Sequence, residues 1–172
     1  KKIIFLFVLL FYSTTSHADK IVYLDVQYII DNSNLGVFYK NKIKIQQDKN
    51  VSELKIEENE IEKTEIEIKN KKNILSEEEI NKYINELNEL VKSYQLKRNE
   101  FNKNIIESKK EYTSKILNIL NPVLTNYVDK NEIIIVLDKK NILVGIKSLD
   151  ITTNIIKILN DETNKKKLLN EN

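Results

Sequence analysis

Carboxylates, lysines and hydroxyls supply nearly all the chemistry this chain can offer. Glu57-Glu58 and Glu77-Glu78-Glu79 set acidic side chains next to one another. Glycosidic cleavage would need such carboxylates facing each other across a substrate. Both groups fall in stretches that read as solvent-exposed helix, where neighbours in sequence do not face each other, so they are surface charge and no catalytic residue is assigned. Three other polar residues fit a structural task. Asp25 stands between a β-like run and a helical pattern, where its carboxylate can accept the free amides of a first turn. Ser76 with Glu79 three residues later is a capping box. Asp150, or Thr152 beside it, is placed to cap the last helix.

The residue types that are missing exclude more. There is no cysteine, and the single histidine, His17, lies in an N-terminal leader. Imidazole acid–base catalysis, thiol nucleophiles and the usual zinc sites are therefore outside the reach of the rest of the chain. No D-x-D-x-D-G calcium loop is present, and neither a metal nor a cofactor is expected. Arg98 is the only arginine and no nucleic-acid module is recognisable, so no nucleic-acid partner is expected.

The leader has the three parts of a secretory signal. Lys1 and Lys2 form a basic start, residues 3–12 are unbroken apolar, and Ser16-His17-Ala18 offers small residues at the two positions read before cleavage at Asp19. The apolar run falls short of the roughly twenty residues a membrane-spanning helix needs. Lys and Arg total 28 against 26 Asp and Glu, so loss of Lys1 and Lys2 leaves 26 against 26 and no net charge.

Two β-like segments bracket the remainder. Ile21-Val22-Tyr23-Leu24 is a short strand, followed by a brief helix through Val26, Ile29 and Ile30 and a break at Asn32-Ser33-Asn34-Leu35-Gly36. Ile133-Ile134-Ile135-Val136-Leu137 reads as a strand buried on both faces. Across the turn Asp138-Lys139-Lys140-Asn141, residues 142–146 are expected to return as its hairpin partner. A short helix over residues 153–159 and a frayed, flexible tail at 161–172 complete the chain.

Residues 37–73 contain no helix breaker, which predicts an arm about 55 Å long. Leu54, Ile61, Ile68 and Leu75 recur at intervals of seven, with polar companions. The return helix carries a fuller seam through Ile80, Ile84, Leu87, Val91, Tyr94, Phe101, Ile105, Tyr112 and Ile119, and Pro122 predicts a kink or restart near its root. Strands this far apart can pair only if the helix runs out and returns. The fold class is thus α+β: a small discontinuous β body (19–36 and 121–160) carrying an antiparallel helical hairpin, a coiled-coil arm, over 37–120. A body this small is expected to oligomerise. Ile21, Tyr23, Ile133, Ile135, Leu137, Leu143 and Ile146 are the candidates for its core and subunit interface. Tyr94, Phe101 and Tyr112 are expected in the hairpin seam with client contact as their second role, whereas Tyr83 falls off the seam and is the better client-contact candidate.

The opening Ile21-Val22-Tyr23-Leu24-Asp25-Val26-Gln27 and the closing Val136-Leu137-Asp138-Lys139-Lys140-Asn141-Ile142-Leu143 and Ser148-Leu149-Asp150-Ile151-Thr152 resemble the Skp (OmpH) family of periplasmic chaperones. Both ends occur in order, the right length of helix apart and behind a signal peptide. The resemblance implies a jellyfish-shaped homotrimer with a shared barrel and three hanging hairpins. Its implied work is holding unfolded outer-membrane β-barrel proteins in the periplasm, without ATP or cofactor and as no enzyme. Well-known members of that family are strongly basic and this chain is not, so lipopolysaccharide or membrane-surface contact is not carried over. The alternative is a periplasmic adaptor or spacer coiled coil that binds one folded partner, which a purely self-complementary seam would favour.

Overall fold

The computed structural model describes residues 20–170, so the signal-peptide expectation for residues 1–18 lies outside the described residues. Strand β1, Lys20–Leu24, leads through Asp25 into helix α1, Val26–Asn32. Asp25 is its N-cap, and its carboxylate accepts from the Tyr28 amide at 2.8 Å. The expected five-residue break shrinks to one residue. Ser33, extended at φ −67° and ψ 157°, ends α1 and starts helix α2, Asn34–Lys71, with its hydroxyl accepting from the Gly36 amide. Gly36 is thus helical. A Cβ on it would lie 1.8 Å from the Ile30 carbonyl oxygen, so this corner closes only around glycine.

Helix α3, Glu77–Lys130, runs back along α2. At 1.5 Å per residue, the 38 residues of α2 span about 57 Å and the 54 of α3 about 81 Å. The capping box forms: the Glu79 amide donates to Ser76 Oγ at 3.4 Å and the Ser76 amide to Glu79 Oε2 at 3.0 Å. No restart occurs at Pro122, which sits inside the continuous helix. Buried Leu120 and Val123 tie that stretch to the body, and this packing offsets the missing backbone bond. Glu132, at φ 54°, then turns the chain into strand β2, Ile133–Asp138.

β1 and β2 pair in parallel, with Ile21 opposite Ile135, Val22 opposite Val136 and Tyr23 opposite Leu137, and a bulge between Lys20 and Ile21. The long excursion of the hairpin is what lets parallel neighbours meet. Helix α4, Thr152–Lys165, packs under the sheet and exceeds the expected helix at both ends. Ile155, Leu159 and Thr163, four residues apart, are fully buried, so the tail is not frayed where it was expected to begin. Leu168 and Leu169 beyond it also pack on the core. That core gathers Val22, Leu24, Ile29, Leu35, Ile116, Leu120, Ile155 and Leu159, which joins the sheet, both short helices and the root of the arm.

The expected β-hairpin does not form. Residues 139–149 make two 3₁₀ turns, Lys139–Asn141 and Lys147–Leu149, joined by a non-strand strap. The strap crosses to the far side of β1, where Asp150 bridges to Tyr23 and the Ile151 amide donates to the Tyr23 carbonyl at 2.9 Å. β1 is therefore bonded on both edges, while β2 has no partner on its outer edge among the described residues.

Candidate functional site

Two surfaces have the chemistry to act: an open face of the sheet and the sides of the arm. Alternation along a strand sends Val22 and Leu24 into the core and turns Ile21 and Tyr23 the other way. Partners in register share a face, so Ile21, Ile135 and Leu137 stand together, each 44% exposed. β2 is covered only in part: Ile133 is buried and Val136 half-buried, whereas Ile134 is 59% exposed on the side opposite Ile135. The expectation of burial on both faces fails because, among the described residues, the helices of the single chain reach only part of this edge strand.

The other interface candidates divide. Ile133 is buried in the core, and Tyr23 is buried under the strap, its hydroxyl donating to the Ile146 carbonyl at 3.2 Å. Leu143 and Ile146 project from the strap with Val144, all well exposed. Asp150 lies one residue before the N-cap Ile151. It accepts from the Thr152 amide at 3.0 Å and from the Thr152 hydroxyl at 2.5 Å, and pairs with Lys139 at 2.9 Å. Burial pushes its carboxyl up, but these partners outweigh burial and hold it below the usual carboxylate range. The N-cap Ile151 makes no side-chain cap bond, so neither Asp150 nor Thr152 is the expected cap of α4. Thr152 Oγ1 accepts from the Asp25 amide at 2.9 Å, which ties the start of α4 to the cap of α1 from the opposite end of the chain.

Contacts along the arm fix an antiparallel register. Tyr39 stacks on Tyr112 with ring centres 4.3 Å apart. Farther out, Ser108 bonds Gln46, Lys97 bridges Glu57 at 2.6 Å and Glu53 at 3.5 Å, and Tyr94 donates to Glu58 at 2.5 Å. Near the tip, Lys71 meets the hydroxyl of Tyr83 at 3.1 Å and also faces its ring. Tyr83 is therefore in the seam, half-buried, and Ile84 beside it is exposed, the reverse of the expectation. Tyr94, Phe101 and Tyr112 are half-buried at the seam, as expected. Glu57 and Glu58 are spent on Lys97 and Tyr94. Hydrogen bonds to Glu57 and to Glu58 raise the Lys97 ammonium and the Tyr94 phenol above their ordinary values.

The family described as Outer membrane protein (OmpH-like) matches residues 20–159, which takes in both strands, the whole arm and the buried face of α4 up to Leu159. The chain belongs to the OmpH-like family. The fold of this OmpH-like chain also matches a solved structure from Caulobacter crescentus described as an OmpH-like outer membrane chaperone. The TM-score is 0.77 at 14% identity, over 84% of this chain and 86% of that one. No curated protein sequence matches the chain.

On the outer sides of this OmpH-like arm, single aliphatic residues stand among charges. Ile45, Val51, Ile56, Leu96 and Ile106 are each more than 60% exposed. Their spacing follows no seam, so periodicity does not single them out. At the arm root a groove of about 890 Å³ lies between α1, α2 and α3. Ile30, Tyr39, Ile43, Tyr112 and Ile116 line it, with Lys40, Lys44, Lys109, Asp31 and Asp48 among them. Among the described residues no three His, Cys, Asp or Glu side chains gather as a metal would require, and no helix is long and apolar enough to cross a membrane.

Proposed function

We propose that this protein is an ATP-independent periplasmic holdase. It takes up unfolded outer-membrane β-barrel proteins between the helical arms of a homotrimer and keeps them from aggregating. The observation that carries this reading is the scatter of exposed aliphatic side chains along the arm, outside its seam. An unfolded barrel chain exposes alternating apolar residues and unpaired strand edges. Separate aliphatic contacts, each worth about 1–2 kcal/mol when fully covered, hold such a chain by their number. Any one of them can let go, so the client stays mobile and avoids the entropy cost of one ordered bound form. The open sheet face and the edge of β2 left unpaired among the described residues supply the surface on which three copies associate.

Native mass spectrometry of residues 19–172, mixed with a urea-diluted outer-membrane β-barrel protein, tests this directly. Three chains carrying one client, with light scattering suppressed, is the expected result. A precipitating client beside monomer or dimer would sink it. Saturable binding of one folded partner, without affinity for denatured chains, would instead favour the adaptor reading.

A further inference from the structure

The strap is built in an unusual way for a loop. Connecting segments are generally polar and mobile, yet residues 141–146 carry no charge and display Leu143, Val144 and Ile146 at 102%, 93% and 70% exposure. The strap is also pinned. Lys139 pairs with Asp150 across its base, and the Tyr23 hydroxyl bonds the Ile146 carbonyl. The Tyr23 ring lies under Gly145 so closely that a Cβ there would sit 2.8 Å from Cε1 and 3.2 Å from Cζ. Gly145 has no positive φ, so close approach and not backbone conformation is what calls for glycine.

We propose that the Tyr23–Gly145 contact is a latch, which holds residues 142–146 as a preformed apolar strip for a second copy of this chain. The inference rests on the homotrimer reading and adds the device that shapes its interface. The occupant follows from self-complementarity. The strip lies against Tyr23, which pairs with Leu137 beside exposed Ile21 and Ile135, and the same chain carries an uncharged strand, Ile133 to Leu137, whose outer edge is unpaired among the described residues. A surface of one kind on one side and its match on another lets copies join head to tail until a ring closes. Pinning the strap beforehand removes the ordering cost from each such contact.

A double-mutant cycle tests the latch: Gly145→Ala, Tyr23→Leu and both together, with far-UV circular dichroism as the check that the arm is folded. Three quantities are read: the concentration midpoint of assembly by sedimentation velocity, the trypsin cleavage rate at Lys139, Lys140 and Lys147 below that midpoint, and retention of a urea-diluted β-barrel client by light scattering. Gly145→Ala is expected to raise the midpoint and the cleavage rate about tenfold or more, a factor of ten being 1.4 kcal/mol. In the Tyr23→Leu background, where no ring meets the new methyl, the same change adds less than about twofold in each, because coupled neighbours are not additive. Assembled wild type with a Gly145→Ala variant unchanged in midpoint and cleavage rate overturns the latch and leaves the homotrimer reading standing. An equal Gly145→Ala effect in both backgrounds also overturns it. Wild type that stays monomeric overturns the homotrimer reading and the latch together. Loss of client retention at unchanged assembly assigns the strip to clients and overturns the second copy as its occupant.

Discussion

Replacing Ile135 by aspartate separates the body of one chain from the interface between chains. In the single chain Ile135 is 44% exposed, on the sheet face that no helix covers among the described residues. An isoleucine is worth about 2–3 kcal/mol when fully buried, so a neighbouring copy has roughly 1 kcal/mol of apolar burial left to gain at this side chain. The aspartate forfeits that gain and adds the cost of a carboxylate in an apolar contact, several kcal/mol where no partner answers it. Within one chain the new carboxylate keeps access to water and most of that cost is avoided. Ile135→Asp should therefore leave the helical circular dichroism nearly intact while raising the assembly midpoint at least about a hundredfold, the equivalent of 2.7 kcal/mol. Sedimentation velocity over a dilution series, with a thermal melt on the same samples, gives both numbers. An unchanged midpoint would show that the open face is not an interface. Loss of helix at every concentration would show that Ile135 belongs to the core of the single chain after all.

Thr152→Val removes the hydroxyl that accepts from the Asp25 amide and leaves that partly buried N–H without a partner. Urea denaturation should report a loss of about 1–3 kcal/mol. Asn50 carries a buried side-chain nitrogen with no hydrogen-bond partner. Asn50→Leu should raise the melting temperature by a few degrees, since about 1 kcal/mol moves a chain of this size by some 2–4 °C; a lower melting temperature would mean that the amide earns its place by fixing the register of the arm. Residues 19–172 contain no histidine, so the side chains give a flat stability profile from about pH 5 to 9. Glu79 is held below its usual range by the Ser76 hydroxyl and Glu162 by Lys165, with Asp150 lowered as well. Carboxyls lowered in the folded state stabilise above the unfolded value and lose that contribution as pH falls through the folded one. Acid melts should thus weaken only below about pH 5, and a midpoint near pH 6 would contradict the assignment.

What the residues determine alone is what depends on near neighbours in sequence. The caps at Asp25 and Ser76 were legible because a cap and its amides lie within four residues. The two strands, the breaker-free legs and the reversal at Ser76 follow from periodicity and from the absence of Gly and Pro. Family membership is legible for a similar reason, since the motifs that carry it sit in order at the two ends of the arm. The rotation of the arm seam was not legible. Apolarity favours the heptad column Ile84, Val91, Arg98, Ile105, yet Tyr83 and Lys97 from the neighbouring column turn in, and Ile84 and Arg98 stay out. Lys97 meets Glu53 and Glu57 across the seam and Tyr83 meets Lys71, polar pairings that a count of apolar residues at heptad spacing does not register. Residues 142–146 have the composition of a strand, but whether they pair with β2 depends on competition from β1. The Tyr23 backbone and ring, 123 residues away in sequence from Ile146, draw the strap to the other edge. Pro122 is a helix breaker locally and a helix residue in place, held there by the burial of Leu120 and Val123. In each case the deciding atoms are remote in sequence, and only the closed chain brings them within reach.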